Sequence, residues 1–504
     1  MDLKSNIMAN YLGQGWTALM GIAFVPLYVK YLGMEAYGLI GVFAILQAWL
    51  TLLDMGMTPT LNREMARFTA GAHTAQSIRN LLRSLEVICF TIALLIAIFI
   101  FLSAPWLSTH WLQAENLPVE EVAKVISVIG FVVALRFIES LYRAAIMGLQ
   151  KHVLFNVVNA FLATLRGIGV LGVLVWISPT IEAFFLWQGF VSIVAIVALA
   201  SIAYRHLPQP EIPPSFSYEA VKEVWQFAKG IVAITFLSLL LMQTDKILLS
   251  RLLTLESFGY YTLAASVCGV LYLLVVPIAQ SYSPRFTELV TKDETVALKH
   301  SYHQASQLVA VLVVPAALVL VFFGENLLVL WTGNASLARD AAPLVALLSI
   351  GWMCNALMNP PYMLQIAYGW TNFAVWMNVV AVLLLIPSIF WITPRYGAVG
   401  AASVWAVLNA SYILIAIHFM HRRLLKDEKW NWYLYDVSLP LISAVGVVAA
   451  SWILHPQVMN GILEVVWLIA TGITAVGAST MAAPLIRVRV IEWIENRSGT
   501  QHGV

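Results

Sequence analysis

Apolar residues come in long unbroken runs along this chain, separated by short polar stretches. Each run is roughly 20 residues, which at about 1.5 Å per residue crosses about 30 Å of hydrocarbon as an α-helix. Fourteen runs can be placed, centred near Ala18, Leu46, Leu95, Val133, Thr164, Val194, Leu239, Leu271, Val314, Leu348, Leu383, Leu408, Ala444 and Ile473. The pattern predicts an all-α polytopic membrane protein with 14 transmembrane helices.

The polar breaks repeat. "YLGMEAYG" at Tyr31–Gly38 returns 221 residues later as "LLTLESFG" at Leu252–Gly259, with Glu35 answered by Glu256, Tyr37 by Phe258 and Gly38 by Gly259. In the same register Ile129-Gly130-Phe131 is matched by Ile350-Gly351-Trp352, and Gly148 by Gly369. Trp111 is matched by Trp331 and Asn156-Val157-Val158 by Asn378-Val379-Val380, within one residue of that spacing. Ordered matches at one period mark an internal duplication. Six runs separate the copies, an even number, so the two six-helix repeats run parallel about an axis along the membrane normal. Gly38 and Gly259 are expected to start the second helix of each half. Residues 1–204 form one lobe and 230–421 the other, with two unpaired helices over 422–486 and a cytoplasmic tail over 487–504. The connector, 205–229, begins with Pro-rich "PQPEIPP"; it then sets Val221, Val224, Trp225 and Phe227 beside Lys222 and Glu223, as a helix lying on the inner membrane surface would.

Charge orients these helices, because Lys and Arg are retained in short cytoplasmic loops. With the N-terminus inside, the inner connections hold 20 of the 28 basic residues, the outer ones 5, and Arg136, Arg166 and Lys246 fall within runs. An even count, with both termini inside, preserves this bias. Composition agrees with a membrane protein throughout: 61% of 504 residues are hydrophobic and 11% charged, against about a quarter charged in soluble domains. The first run lacks a small-residue cleavage site and reads as a signal anchor. Cys89, Cys268 and Cys354 lie in apolar runs and suggest neither disulfides nor a metal cluster.

The blocks "YLGMEAYGLIGVFAILQAWLTLLDMGMTPTLNREMARF", "TDKILLSRLLTLESFGYYTLA" and "YGAVGAA" at Tyr396–Ala402 resemble the polysaccharide-exporter family, the O-antigen and capsule-unit flippases, of the multidrug/oligosaccharidyl-lipid/polysaccharide exporter superfamily. The resemblance covers essentially the whole chain. It implies a V-shaped pair of six-helix lobes with two extra helices. It also implies movement of an undecaprenyl-diphosphate-linked oligosaccharide from the inner to the outer leaflet. The expected partners are that lipid, membrane lipids and a polysaccharide polymerase or glycosyltransferases, with no nucleic acid and a monomeric chain. No cofactor is expected beyond a coupling H+ or Na+.

Charges inside the runs are the site candidates, since each is costly at the bilayer centre unless it faces protein or water. Arg136 and Glu139 stand three apart and Arg143 four beyond, on one helix face where they can neutralise each other. Arg166 has no acid within four residues and needs a distant partner, water or an anionic ligand. It lies about 20 Å from the inner helix end, in the outer half, with Arg136 in the inner half. The two are therefore read as successive stations for a diphosphate, whose oxygens suit the guanidinium fork. Asp245 and Lys246 are about 100° apart on a helix, so one of them faces a cavity or interface. Lys246 joins the substrate-binding set; Asp54, Asp245 and Glu139 are coupling-ion or gating candidates. Asp54 can alternatively cap or tether the inner gate through Arg63 or Arg67. Pro26 kinks the first helix and is a candidate hinge. Glu86 and Glu464 lie near span ends and read as solvated. The pairs His300/His303 and His418/His421 have helical spacing but no third ligand, so no metal site is expected. Trp106, Trp111, Trp331 and Tyr396 read as interface belt, and Asn334-Ala335-Ser336 as an incidental sequon.

Two rival classes remain. A drug or cation antiporter of the same superfamily would have twelve spans and a cavity dominated by carboxylates. A polysaccharide polymerase or ligase would place a sizeable outer loop over its active site, and the longest outer loop here, about Ser103–Pro118, carries no catalytic set. No P-loop is present, which argues against nucleotide hydrolysis.

Overall fold

The computed structural model describes residues 3–54, 56–209, 212–218, 222, 236, 239–240, 243–456 and 459–499. The interfacial helix expected near 216–229, most of the run centred on Leu239, and residues 500–504 of the tail lie outside the described residues. The chain divides into two compact units, Met1–Gly259 and Tyr260–Val504.

In the first unit the helices are α1 (Leu3–Ala23), α2 (Val25–Leu32), α3 (Met34–Leu53), α4 (Met57–Thr69), α5 (Ala75–Trp106), α6 (Val119–Gly148), α7 (His152–Trp176) and α8 (Ile181–His206). A further helical stretch covers 243–252. Local chemistry sets the boundaries. Pro26 sits in the first turn of α2, just past the break at Phe24 that separates α1 from α2, where its missing N–H costs nothing. Gly33, at φ +83°, separates α2 from α3. Gly56, at φ +75°, turns the chain into α4. The Thr74 and Thr180 hydroxyls accept the Ser77 and Ala183 amides and cap α5 and α8. α6 is the central helix, packed against α3, α4, α5 and α8. Its Ile129, Val133, Phe137 and Leu141 meet Leu39, Phe43, Leu85 and Phe185 in a dry core. The other face of α5 is left open, with Phe99 and Leu102 each more than two-thirds exposed. A water-facing helix would not present such a surface; acyl chains accept it without penalty.

The two copies of the polar break meet inside this unit. A Cβ on Gly38 would overlap the Leu255 carbonyl, and a Cβ on Gly259 would overlap the Met34 carbonyl. Each glycine admits the backbone that opens the other copy's helix, so the repeated residue marks a reciprocal close approach. The segment 113–116 is stitched to this junction. The Leu255 amide donates to the Gln113 carbonyl at 2.8 Å, and both carboxylate oxygens of Glu35 accept the Asn116 amide, with Glu35 Oε1 also taking the Glu115 amide at 2.6 Å.

In the second unit the helices are α9 (Leu255–Thr291, entering from the first), α10 (Thr295–Thr332), α11 (Ala335–Leu357), α12 (Asn359–Ala367), α13 (Thr371–Arg423), α14 (Leu439–Ile453), α15 (Gly461–Ala482) and α16 (Pro484–Gly499). α10 is central, against α11, α14 and α15. The 53-residue α13 is two helices meeting at Gly397, whose φ of +58° and ψ of −148° are not helical. Tyr412 Oη donates to Asn378 Oδ1 at 3.4 Å, although 34 residues of continuous helix would hold them about 50 Å apart, so the chain reverses at Gly397. Asn334 of the sequon caps α11 by accepting the Leu337 amide.

Ten helices among the described residues are long and apolar enough to cross a membrane. The expectation was 14: α13 counts once although it holds two runs, Met34–Leu50 is short, most of the run centred on Leu239 lies outside the described residues, and α6, which holds the run centred on Val133, is not among the ten.

Candidate functional site

The charged α6 faces a cavity of about 420 Å³ inside the first unit, lined by Gln47, Leu50 and Asp54 of the α3 end, Gly56, Thr58 and Pro59 at the start of α4, and Arg136, Phe137, Glu139, Ser140 and Arg143 of α6. Glu139 is its electrostatic centre. Only 1% exposed, it accepts from Arg143 Nη2 at 2.8 Å on one oxygen and from Arg166 Nη2 of α7 at 2.6 Å on the other. Arg143 also donates to Asn159 Oδ1 at 2.9 Å. Arg136 takes a different partner, donating to Gln188 Oε1 of α8 at 3.1 Å with its guanidinium 5.9 Å from the Phe43 ring centre.

Of the three charges placed on one helix face, Glu139 and Arg143 pair as their spacing suggested, whereas Arg136 turns to Gln188 and its place beside Glu139 is taken by Arg166 from across the helix interface. Arg166 thereby finds the distant acid its own helix lacks. The expected separation into inner and outer stations is also corrected. Arg136 lies about 18 Å from the α6 end and Arg166 about 21 Å from the α7 start, which are neighbouring ends of a hairpin, so both guanidiniums stand at one depth.

Three guanidinium groups thus surround one buried carboxylate. The Nε atoms of Arg136 and Arg166 are buried without a hydrogen-bond partner among the described residues. A buried cationic donor left unmatched is expensive, and its natural complement is an anion with several acceptor oxygens. Arg136 faces the cavity directly; Arg166 reaches it through Glu139.

Asp54 lines the opposite wall and caps α4: its Oδ1 accepts from Thr58 Oγ1 at 2.5 Å, and both oxygens accept the Thr58 amide at 3.1 Å. The basic residues offered as its tether go elsewhere. Arg63 donates to Glu64 at 2.5 Å and Arg67 to the same carboxylate at 3.0 Å, joined by His73 at 2.7 Å. Burial raises the Glu64 pKa, but hydrogen bonds from His73 and Arg63, with the charges of Arg63 and Arg67, outweigh it and hold the carboxyl below its ordinary range. Asp245 is buried and Lys246 half-buried on 243–252; neither lines the cavity, and nor does Pro26.

Several polar partners were missed by a scan for charge. Gln188 in "FFLWQGF" and Asn159 in "NVVNAFL" are amides inside apolar runs, and that isolation is the signal that would have found them. Glu86 and Glu464 are corrected from solvated to buried. Glu86 accepts from Tyr142 at 2.9 Å and Tyr204 at 2.8 Å; Glu464 holds His455 at 3.0 Å and Asn326 at 2.9 Å. Trp111 reaches Ser250 with its indole N–H at 3.0 Å, which makes it a tie between segments as well as an aromatic near the outer end. His303 lies between Asp436 at 2.5 Å and Glu428 at 3.2 Å, and His421 packs against Tyr302.

A helical body with a charged pocket in apolar surroundings has the form of a membrane transporter. The family model described as polysaccharide biosynthesis protein matches residues 3–290, more than half of the chain, and a second model, MatE, matches 231–391. The chain therefore belongs to the polysaccharide biosynthesis protein family. It is 19% identical over 409 residues to a Shigella flexneri protein named "Putative O-antigen transporter", covering 81% of this chain and 95% of that one. Among solved structures it is similar to the lipid II flippase MurJ in an inward closed conformation, with TM-score 0.67, 11% identity and 94% and 98% of the two chains covered. It is also similar to an inward-facing multidrug resistance MATE family transporter, with TM-score 0.61, 13% identity and 82% and 96% covered. The protein is a polytopic member of the polysaccharide biosynthesis protein family, with ten helices among the described residues long and apolar enough to cross a membrane.

Proposed function

We propose that the chain is a flippase that carries a lipid-diphosphate-linked oligosaccharide, an O-antigen, capsule or exopolysaccharide repeat unit on undecaprenyl, across the inner membrane by alternating access. The observation that carries this reading is the set of three guanidiniums, Arg136, Arg143 and Arg166, around the single carboxylate of Glu139, with the Arg136 Nε buried and unmatched among the described residues. A diphosphate brings the negative charge and the acceptor oxygens that this wall lacks. In this reading the diphosphate binds Arg136 first and competes with Glu139 for Arg166. Glu139, once released, and Asp54 opposite are the groups able to take up a coupling H+ or Na+. The reading keeps fourteen spans with both termini inside, in two parallel repeats. Asp245 and Lys246 have no part in it.

The test is Arg136→Ala and Arg166→Ala in a strain deleted for the gene. Each variant should lose surface glycan at normal protein abundance, with lipid-linked oligosaccharide trapped in the inner leaflet. Loss of one charge-assisted contact predicts a fall of about tenfold to a hundredfold in transport. Unchanged export in both variants removes the arginines from the mechanism. The match of the MatE model to 231–391 favours one second reading, a cation-coupled antiporter of small molecules. It predicts altered drug tolerance with normal glycan in the same deletion strain.

A further inference from the structure

A second cavity, of about 360 Å³, lies in the second unit between α9, α10 and α16, lined by Tyr282, Gln304, Leu308, Ile486, Arg489 and Val490. Two of its features do not suit an empty apolar gap. Gln304 is 3% exposed, yet its Nε2 has no hydrogen-bond partner among the described residues. The guanidinium of Arg489, an exposed residue, and the phenol of Tyr282 line the same cavity. A guanidinium, a phenol and a buried amide N–H thus converge from three helices, and each can donate. Among the other cations close in sequence, Arg285 is taken up by Glu288 at 3.0 Å, and Arg487 turns to the Met481 carbonyl at 3.3 Å. The remaining wall is aliphatic: Leu308, Ile486 and Val490 continue the packing of α16 on α10.

Three donors, one of them cationic, ask for an anion with at least three acceptor oxygens, which a phosphodiester supplies. The aliphatic wall asks for a chain attached to that anion. A free phosphate would leave the wall facing water, whereas an acyl chain covers it. We propose that this cavity is a binding site for the phosphate headgroup of an anionic membrane phospholipid, with Arg489, Tyr282 and Gln304 on the phosphate and Leu308, Ile486 and Val490 along the first methylenes of a chain. A resident lipid here fastens α16 to α9 and α10. The site lies outside the Arg136 cavity, so it stands or falls independently of the transport reading.

Full-length protein in neutral detergent, titrated with phosphatidylglycerol and followed by native mass spectrometry, tests the assignment. One lipid per chain is expected to stay bound. Arg489→Gln and Gln304→Leu should each weaken retention about tenfold, the effect of losing one hydrogen bond to a charged group, and Arg489→Lys should recover part of it. Phosphatidylcholine should bind more weakly than phosphatidylglycerol, and inorganic phosphate should not displace the lipid. Phosphatidylglycerol retention unchanged in both Arg489→Gln and Gln304→Leu overturns the proposal. So does inorganic phosphate bound as tightly as the lipid, which would mark a site for a free anion. Thermal midpoints and glycan export measured on the same variants separate loss of this site from misfolding and from failure of transport.

Discussion

The two copies of the repeat share a backbone plan and differ in chemistry. At the spacing of 221, Asp54 falls on Val275, Arg136 on Leu357, Glu139 on Pro360 and Arg143 on Leu364, and at the 222 spacing of its own helix Arg166 falls on Ser388. No charge that builds the cavity in the first unit is kept in the second copy. Leu357 and Leu364 are buried in the second unit's core. Its polar groups gather on α10 instead, where His303 and Gln307 meet Glu428 and Asp436 on the segment leading to the two appended helices. Duplication has preserved the junction glycines and the helix order while the electrostatic work is confined to one half. A fold can be doubled without doubling its site, because packing needs only volume and hydrophobicity, whereas a charge in the membrane needs a partner.

The largest test of this asymmetry is Glu139→Ala. Removing the carboxylate leaves Arg143 and Arg166 without their acid in a buried setting, and stability should fall by about 3–5 kcal/mol. Thermal unfolding in detergent measures it. The register partner is already Pro360, and Pro360→Ala should fall well short of that loss. Equal losses would mean that the charge asymmetry does not decide stability.

Next come the residues that the copies share. Gly38→Ala and Gly259→Ala each force a Cβ onto a backbone carbonyl that cannot swing away, an overpacking expected to cost about 1–3 kcal/mol. Because the contact is reciprocal, the two variants should behave alike in unfolding and in export. A large difference between them would break the proposed equivalence. Smaller still is Asp54→Ala, which removes the α4 cap and should cost about 1 kcal/mol. A loss of transport far larger than that of folded protein would assign Asp54 a part in coupling beyond capping.

The smallest effect is one of pH. Glu64 is held below its ordinary range in the fold, so its contribution to stability is present above the unfolded carboxyl pKa of 4.5 and is lost as pH falls through the lower folded value. Wild type should therefore lose more stability than Glu64→Gln on acidification below about pH 4.5. Parallel melting curves for the two proteins would contradict this.

Much of this molecule is legible in its runs of apolar residues. The long apolar helices, the return of the polar break and the singling out of Arg136, Glu139 and Arg166 as charges that need partners all follow from spacing and the cost of burying charge. Pairing was legible only in part. Helical spacing offered Glu139 both Arg136 and Arg143; the structure keeps Arg143, adds Arg166 from the next helix and sends Arg136 to Gln188. The reversal at Gly397 and the capping role of Asn334 in a sequon likewise needed the structure, because a glycine or an asparagine in a run has several uses.

By itself the sequence determined what is local or periodic: which segments can lie in lipid, where the chain must turn, and that one polar break was written twice. Only the tertiary structure decided which charges answer each other, that Arg136 and Arg166 each keep a donor unmatched among the described residues, and that Gly38 and Gly259 each make room for the other's helix. The physical reason is one of range. Hydrophobic patterning acts along a single helix, but a buried ion's energy is set by whatever lies within a few ångströms of it, and those neighbours come from helices far apart in the chain.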